Sequence, residues 1–304
     1  MSFSLKLLQH APKPFLNKTL QNIILQDKVV LNHNSIRLRF GLPTKKSILG
    51  LPVGQHIKFY TPNLVGRIPG EWNGCQDPFF KLVSENTRGT TNELCIERKY
   101  TPVTGDEVSG YVDFVIKVYR GGENSKYIDG GKASQYLDSL KIGDAVTIRG
   151  PIGLVKYIGC GNFLYGAKSL HDKKKLLMIA GGTGITPIFQ LIDTILNDPS
   201  DKTILCLLYA NQTEDDILLH KELQMLTDRN PKQLQVFYTV DRPIKPLKWN
   251  HFVGYVSCEM IQKVFPEFQE SSLALLCGPP PMVHQTCRPA LTSMGWPTDH
   301  ILTF

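Results

Sequence analysis

The chain has 304 residues, of which 42% are hydrophobic and 20% are charged, and its formal net charge is +7. This length fits two domains, and this composition is typical of a folded globular protein, which excludes a fibrous or disordered chain. No stretch approaches the roughly 20 apolar residues that span a bilayer, no arginine-rich run indicates nucleic-acid binding, and no C-x-x-C pair indicates a metal centre.

Residues 1–24 are interpreted as an N-terminal extension. They contain only a short apolar patch and no cleavage site, so we expect no secretion, and the scattered cysteines fit the reducing cytosol. Lys6, Lys13 and Lys18 precede the first acidic residue, Asp27, but the stretch has no arginine. We therefore expect a soluble cytoplasmic protein without an intrinsic membrane span, and leave a membrane-associated or mitochondrial pool open.

Residues 25–156 have the pattern of an antiparallel β domain. Short runs of β-branched and aromatic residues alternate with glycine, proline and aspartate, which is typical of a sandwich or a barrel. One helix interrupts them at GKASQYLDSL, residues 131–140, where Ser134 is either the N-cap or a phosphate ligand. The predicted strands are NIILQDKVVL, IRLRFGL, HIKFYT, ELCIERKYTP, VDFVIKVY and AVTIRGP.

The stretch 157–175 is rich in glycine and lysine, and we interpret it as a linker. Strands and helices then alternate over residues 176–304, which predicts a parallel sheet with helices on both faces. The predicted strands are KLLMIA, TILCLLYA, LQVFYTV and SLALLCG, and the predicted helices are PIFQLIDTIL, DILLHKELQMLTD, SCEMIQKVF and PPMVHQTCRPALTSMG.

The turn after the first of these strands, AGGTGITP at residues 180–187, has most of the glycine pattern that binds nucleotide phosphates. Glycine lets backbone N–H groups approach an anion, and the following helix adds a partial positive charge. Pro187 stands where a dinucleotide fold has its third glycine, but proline suits the first turn of a helix. On these residues alone, nucleotide binding and an ordinary strand-to-helix turn both stay open.

Taken together and in order, the motifs resemble those of the NADH–cytochrome b5 reductases, in the ferredoxin-reductase superfamily. The resemblance covers nearly all of residues 25–304, and it implies an FAD-binding β-barrel followed by a Rossmann-like NAD-binding α/β domain. It rests on LGLPVGQHI, RKYTP, VDFVIKVY, GGKASQYL and RGPIG in the first half, and on AGGTGITP, YANQTEDDILL, YTVDRP and CGPPPM in the second.

The resemblance implies an enzyme that takes a hydride from NADH onto FAD and passes single electrons to cytochrome b5 or a similar acidic haem protein. A flavin can accept a pair of electrons and release them one at a time. The basic net charge fits an acidic partner, and we expect a monomer. A reductase component of an oxygenase or nitrate-reducing system is the alternative enzyme. A non-catalytic flavin or nucleotide sensor is the third hypothesis, and it would require lost catalytic residues.

Several residues of the first domain match the family's FAD site. Arg98 is expected to pair with the pyrophosphate, Tyr100 to pack on the flavin, and Thr101 to offer its hydroxyl near the flavin N5. Val115 is expected to place backbone groups against the flavin, and Lys117 to reach the phosphate or ribose region. The remaining positions carried over are Lys99, Gly131, Lys132, Ala133, where the family often has methionine, and Ser134.

The second domain carries the positions expected to hold NADH. Gly182 and Thr183 lie in the glycine turn, Thr186 matches a position that touches the flavin, and Asp241 is expected to bind the adenosine ribose. Cys277 is expected to line the nicotinamide side without acting as a nucleophile, so Thr101, Lys117 and Cys277 are the predicted catalytic residues. The other matches are Gly278, Pro279, Met282 and the aromatic terminus Phe304.

One segment, residues 63–92, is much longer than the corresponding connection in the family. Loops longer than roughly 12–15 residues are usually functional or disordered. This loop contains Trp72, Phe79 and Phe80, which favours a functional role. We expect it either to reshape the surface that meets the electron acceptor or to cover the adenine end of FAD.

Overall fold

The computed structural model describes residues 14–62, 71–72, 75–76, 80–82, 94–121, 130–265 and 267–304. The chain divides into two compact units. Unit 1 comprises Met1–Leu51 and His56–Ile152, and unit 2 comprises Pro52–Gln55 and Gly153–Phe304. No helix in this described part of the chain is long and apolar enough to cross a membrane.

Unit 1 is built on a seven-stranded sheet with the order β6-β7-β3-β9-β1-β2-β8, and every pairing in it is antiparallel. A separate two-stranded sheet pairs β4 with β5. The antiparallel domain predicted from the sequence is thus confirmed. The strands are β1 (Leu20–Asn32), β2 (Ser35–Gly41), β3 (His56–Pro62), β4 (Glu71–Trp72), β5 (Cys75–Gln76), β6 (Phe80–Leu82), β7 (Leu94–Tyr100), β8 (Tyr111–Lys117) and β9 (Ala145–Ile152).

The seven-stranded sheet curls around one apolar core. Side chains of a strand point alternately to its two faces, and the alternation in β2 and β8 buries Phe40 and Phe114 on the core face. Phe59 of β3 lies with its ring centroid 4.9 Å from that of Phe114 and 5.9 Å from that of Phe40. Because three strands separate β3 from β8 in the sheet, this contact requires strong curvature. That curvature fits the predicted barrel, although no hydrogen bonding between β6 and β8 closes it among the described residues.

Two segments complete unit 1. Helix α1 (Lys132–Ser139) packs against β3 and β7 and contributes Leu137 to the core. The predicted N-terminal extension is in part integral to this unit, because β1 begins at Leu20, and Phe15 N and Leu16 N donate to Ile48 O and Leu49 O. Residues 1–13 and most of the insertion at 63–92 lie outside the described residues, so its expected role stays a prediction.

Unit 2 contains a six-stranded parallel sheet with the order β16-β15-β14-β13-β17-β18. Its central strands are buried on both faces, as expected for a parallel sheet with helices on both sides. The predicted α/β domain is therefore confirmed. The strands are β13 (Lys175–Gly181), β14 (Ile204–Asn211), β15 (Leu234–Val240), β16 (Phe252–Val253), β17 (Ser272–Cys277) and β18 (Ile301–Thr303).

The helices of unit 2 follow the predicted alternation with shifted ends. The segment DILLHKELQMLTD becomes helical only at His220, because a capping box of Thr213 and Asp216 fixes a short 3-10 turn first. The last predicted helix begins as a π-helical turn, Pro281–Cys287, before it continues regularly. The helices are α2 (Ile185–Asn197), α3 (His220–Arg229), α4 (Cys258–Val264) and α5 (Arg288–Ser293).

The segment 157–175, interpreted above as a linker, is ordered structure. Strands β10 (Val155–Gly159), β11 (Asn162–Tyr165) and β12 (Lys168–Leu170) form an antiparallel sheet within unit 2. Its glycines occupy tight turns, with φ of +99° at Gly159 and +73° at Gly161, rather than giving flexibility.

Candidate active site

The N-terminus of α1 is shaped to receive an anion. Gly130 has a φ of +71°, and a Cβ built on Gly131 would lie 2.7 Å from Ser134 Oγ, so side chains are disfavoured at both positions. Gly131 is the N-cap residue, and no side chain caps the helix. The backbone can therefore approach a ligand closely where the helix dipole concentrates positive charge. A phosphate group, such as the pyrophosphate of FAD, fits this cradle.

Ser134 is not the N-cap, contrary to one of the two sequence interpretations. The helix begins at Lys132, so Ser134 lies in its first turn. Its hydroxyl donates to Gly131 O at 3.0 Å and accepts from Tyr119 N at 3.1 Å. These two hydrogen bonds of Ser134 thus hold the glycine turn in place. Lys132 and Ala133, the other predicted residues of this turn, are both buried.

Arg98 and Tyr100 lie on the same face of β7, because side chains alternate along a strand. In register, Arg98 is opposite Phe59 and Tyr100 is opposite Ile57, and the Tyr100 ring contacts Phe59 edge-on at 5.1 Å. Burial raises the pKa of Tyr100, so its phenol stays neutral. Since α1 packs against β7, Arg98 lies on a strand next to the helix that begins at the glycine cradle, and its guanidinium donates to Glu97 O at 2.9 Å.

The opposite face of β7 carries Lys99, which is exposed and paired in register with Lys58. Continuing this register by one pair places His56 opposite the buried Thr101. The Nε2 atom of His56 is buried, and it finds no hydrogen-bond partner among the described residues. Burial lowers the pKa of His56 to about 4, and the charges of Lys99 and Lys58 act in the same direction. A neutral imidazole with an unused nitrogen therefore lies beside Thr101.

The strand β8 presents Val115 and Lys117 on the face opposite the core residue Phe114. Val115 is nonetheless only 5% exposed, and it pairs in register with Arg37, while Lys117 pairs with Ser35. The alternating register that the sequence predicted for these two residues is therefore present, and both share one face of the sheet.

In unit 2 the two glycine-bearing segments meet at the carboxyl edge of the parallel sheet. Ala180 of β13 pairs with Cys277 of β17, so the turns that follow these strands are neighbours. A Cβ on Gly184 would lie 2.6 Å from the carbonyl carbon of Cys277, and one on Gly278 would lie 3.0 Å from Gly181 N. Backbone therefore packs directly on backbone here, which explains why these positions are glycine. Open α/β sheets bind their ligands at this edge.

Residues of unit 2 itself hold the glycine turn in place. Gly182 has a φ of +52° and begins a 3-10 turn, and the buried Tyr209 donates its hydroxyl to Gly182 O at 3.1 Å. Thr186 is buried, and its hydroxyl donates back to Thr183 O at 3.3 Å. Pro187 lies in the first turn of α2, as its sequence context predicted.

The nicotinamide-side candidates cluster along β17. Phe304 N donates to Leu276 O at 3.2 Å, so the terminal aromatic residue continues β18 next to the end of β17 where Cys277 lies. Met282 and Pro279 pack on Gly181, since a Cβ there would lie 2.8 Å from the sulfur and 2.9 Å from Pro279 Cδ. The structure thus brings Cys277, Gly278, Pro279, Met282 and Phe304 to one place.

Asp241 follows β15 at the same edge, two strand spacings or about 10 Å from β13. Burial raises the pKa of Asp241, and the charge of Arg242 opposes that shift. No ion pair joins Asp241 to a cation of the described residues, which disfavours a purely structural pairing with Arg242. Its backbone N–H donates to Asn211 O at 3.1 Å.

The structure adds two candidate site residues that sequence reasoning missed. His56 stood in the quoted motif LGLPVGQHI, but only its burial and unpartnered nitrogen reveal a role. Tyr255 is 81% exposed next to Gly254, whose N–H donates to Val240 O. An exposed aromatic ring at the carboxyl edge beside Asp241 is suited to stacking on a planar base. The only sign of Tyr255 in the sequence was the turn V-G-Y, which lies outside the recognised motifs.

Family models match both units. The model described as the oxidoreductase FAD-binding domain matches residues 22–68 and 83–157, and that of the oxidoreductase NAD-binding domain matches residues 178–288. Two relatives agree with this assignment over nearly the whole chain. NADH-cytochrome b5 reductase 1 of Bos taurus is 45% identical over 282 residues, which cover 90% of this chain and 81% of the relative. NADH-cytochrome b5 reductase 2 of Homo sapiens is 40% identical over 285 residues and is covered to 92%, as is this chain.

A solved structure shows the same architecture. The cytochrome b5 reductase domain of Ulva prolifera nitrate reductase superposes with a TM-score of 0.82 at 34% identity, covering 96% of this chain and 100% of that domain. The CS-b5R domains of human Ncb5or share the fold, with a TM-score of 0.69 at 24% identity, covering 95% of this chain and 70% of that one.

Proposed function

This chain belongs to the NADH–cytochrome b5 reductase family, and we propose from that premise how its residues divide the work of the reaction. It is an FAD-dependent oxidoreductase that takes a hydride from NADH and delivers electrons to cytochrome b5. FAD, when bound, supplies the step from a two-electron donor to a one-electron acceptor. Two observations carry the division of roles: unit 1 contains a glycine anion cradle, and unit 2 contains a glycine-lined sheet edge.

The phosphate end of FAD is held by Gly130, Gly131 and the α1 N-terminus, together with Arg98. A guanidinium forms charge-assisted, often bidentate hydrogen bonds to phosphate, and the helix terminus adds partial positive charge. Lys132, Ala133 and Ser134 shape this turn rather than bind through their side chains, because all three are buried and Ser134 bonds to its own backbone surroundings.

The flavin end is held by Tyr100, Thr101 and His56, with Val115 and Lys117 on β8. Tyr100 offers an aromatic surface that is fixed against Phe59. The unused Nε2 of His56 and the hydroxyl of Thr101 are the polar groups available for hydrogen bonds with the ring system and its chain. Because His56 stays neutral across physiological pH, its free ring nitrogen donates or accepts a hydrogen bond there, according to the tautomer.

NADH lies along the carboxyl edge of the parallel sheet. Asp241 accepts hydrogen bonds from the adenosine ribose, Tyr255 stacks on the adenine, and the turn at Gly182 and Thr183 approaches the phosphates. Cys277 and Phe304 then line the nicotinamide, with Gly278, Pro279 and Met282 packed behind them. These backbones are already in contact, so the edge is preorganised for the short approach that hydride transfer needs.

The chain acts as a monomer in the cytoplasm, and its partner is an acidic one-electron haem protein. The net charge of +7 supports an acidic partner. The similarity to the reductase domain of an algal nitrate reductase supports a second candidate, in which the acceptor is the haem module of another electron-transfer system.

The division of roles is tested with the purified full chain. We expect a yellow protein that bleaches on anaerobic titration with NADH. Arg98→Ala should weaken FAD retention by about 1.5–3 kcal/mol, because it removes a charge-assisted phosphate contact. Fluorescence release of FAD measures this, and Arg149→Ala is a matched control because Arg149 is exposed and its side chain donates to Lys18 O, away from the glycine cradle. Equal FAD affinity in both variants would remove Arg98 from the site.

A further inference from the structure

The connection between β15 and β16 carries apolar side chains at its surface. Leu247 is fully exposed in the middle of a 3-10 turn at Pro246–Lys248, and Ile244, two residues before this turn, is 51% exposed. Single exposed apolar residues are ordinary, but two on one short turn form a patch. We call residues 242–250 the basic loop.

Hydrogen bonds to residues outside the basic loop hold it in this exposed conformation. Glu214 accepts from the backbone N–H groups of Ile244 at 2.6 Å and of Lys245 at 3.1 Å. At the other end, Trp249 Nε1 donates to Phe252 O at 2.7 Å. These bonds stabilise the conformation in which Leu247 and Ile244 are exposed.

Positive charge surrounds the two apolar side chains. Arg242, Lys245 and Lys248 are all exposed, and no acidic residue occurs from 242 to 258. Among the carboxylates near the loop, Glu214 accepts from backbone N–H groups, Asp216 is buried in a capping box with Thr213, and Asp241 is partly buried at the nucleotide edge, while Asp215 is exposed. Apolar residues ringed by lysine and arginine are typical of proteins that lie on an anionic membrane surface.

We propose that the basic loop is a peripheral docking site for an anionic lipid bilayer. Leu247 and Ile244 insert among the acyl chains at the headgroup boundary, while Arg242, Lys245 and Lys248 contact the acidic headgroups. This would hold the enzyme at a membrane without a spanning helix, and it gives a physical basis for the membrane-associated pool that the sequence left open.

The position of the loop favours a bilayer over the haem partner. The loop leaves β15 next to the edge strand β16, whereas Cys277 ends β17, four strand spacings from β16. At about 4.8 Å for each spacing, the loop edge lies about 19 Å from the place where NADH delivers its hydride. The basic loop therefore lies at the far side of the unit 2 sheet from Cys277, at an edge where its exposed apolar and basic side chains complement an anionic bilayer.

The test is co-sedimentation of the FAD-loaded full chain with vesicles. We expect binding to vesicles of equal parts phosphatidylcholine and phosphatidylserine, little binding to phosphatidylcholine alone, and release by salt. Leu247→Ser should weaken the partitioning about tenfold through lost apolar burial. Lys245→Gln combined with Lys248→Gln should weaken it roughly twenty-five-fold, from about fivefold for each charge.

Ile142→Ser is the matched control, because Ile142 is 69% exposed but lies outside the basic loop. It should partition like the wild type, and NADH oxidation with a small acceptor should be the same in all variants. The proposal is overturned if the wild type stays in the supernatant at low salt, or if Ile142→Ser and Leu247→Ser behave alike. It is also overturned, in favour of a protein partner, if Leu247→Ser leaves vesicle binding intact but raises KM for cytochrome b5.

Discussion

The imidazole of His56 lies in surroundings that oppose its protonation. Burial and the neighbouring lysines lower its pKa from 6.5 to about 4. Between these two pH values the unfolded chain binds more protons than the folded chain, so the free energy of unfolding decreases as the pH falls through this window. Above pH 6.5 both states are neutral at this residue and the contribution is fully present.

We therefore expect His56→Gln to flatten the pH dependence of stability between pH 6.5 and pH 4. The difference between wild type and variant should reach about 2 kcal/mol, reduced from the full linkage value because the ring is partly exposed. Urea unfolding at a series of pH values measures it. His284→Gln, which alters an exposed histidine, should leave the wild-type slope unchanged. Parallel slopes for wild type and His56→Gln would show that His56 is not held neutral by the fold.

Asp241 gives a second prediction at the scale of one side chain. Its carboxylate forms no ion pair with a described residue, although the charge of Arg242 acts on it, and it lies where the adenosine ribose is proposed to bind. It should repel the additional phosphate of NADPH, so Asp241→Thr should shift the ratio of kcat/KM for NADPH over NADH upward by about tenfold.

Steady-state kinetics with both cofactors measure this ratio. Arg242→Gln is the informative comparison, because it removes the adjacent cation and should not raise the use of NADPH. A wild type that uses both cofactors equally, or an unchanged ratio in Asp241→Thr, would exclude Asp241 as the selecting residue.

Among the elements, the contact between the glycine turn and β17 decides the geometry at the nicotinamide. A side chain on Gly184 would collide with the backbone carbonyl of Cys277, which cannot rotate away as a flexible side chain could. Gly184→Ala should therefore push β17 and the turn apart, and misplace Cys277 relative to the bound cofactor. An error of about 1 Å in such a site can cost on the order of a hundredfold in rate.

We expect Gly184→Ala to retain FAD, because the cradle at α1 belongs to unit 1, and to slow flavin reduction by about a hundredfold. Stopped-flow bleaching with NADH measures the rate, and the flavin absorbance per protein measures retention. Bleaching at the wild-type rate would mean that the two turns separate without consequence for hydride transfer.

The long, strongly patterned elements could be predicted from the sequence. Strands such as β13 and β15 are apolar runs of the right length, and α2 has clear helical spacing from Pro187 onward. The site residues on named motifs, from Arg98 to Cys277, followed from the resemblance, and the structure groups them by unit. The features that the sequence could not predict each have a physical explanation.

Short strands are one kind of element that the sequence did not predict. The strands β10 to β12 have only three to five residues each, and their turns at Gly159 and Gly161 look like linker composition. The start of α3 depends on the capping box of Thr213 and Asp216, a side-chain arrangement that the apolar pattern does not show. The role of His56 follows from burial, which depends on residues distant in the sequence.

For the whole molecule, the charge balance determines how partners arrive. A net charge of +7 on 304 residues produces a positive field that attracts an acidic protein at long range. Such steering acts on the encounter rate and is screened within about 10 Å at 0.1 M salt. Hydride transfer between bound NADH and FAD, by contrast, involves no encounter with a charged protein.

We therefore expect kcat/KM for cytochrome b5 to fall at least about tenfold between low salt and physiological ionic strength. The assay needs saturating NADH, because NADH is itself an anion and its own binding would otherwise respond to salt. A small neutral one-electron acceptor, measured in the same buffers, should show a flat profile. If both acceptors respond equally, the salt effect lies in the flavoprotein itself. If neither responds, the positive field does not guide the acceptor, and the partner recognises a neutral surface instead.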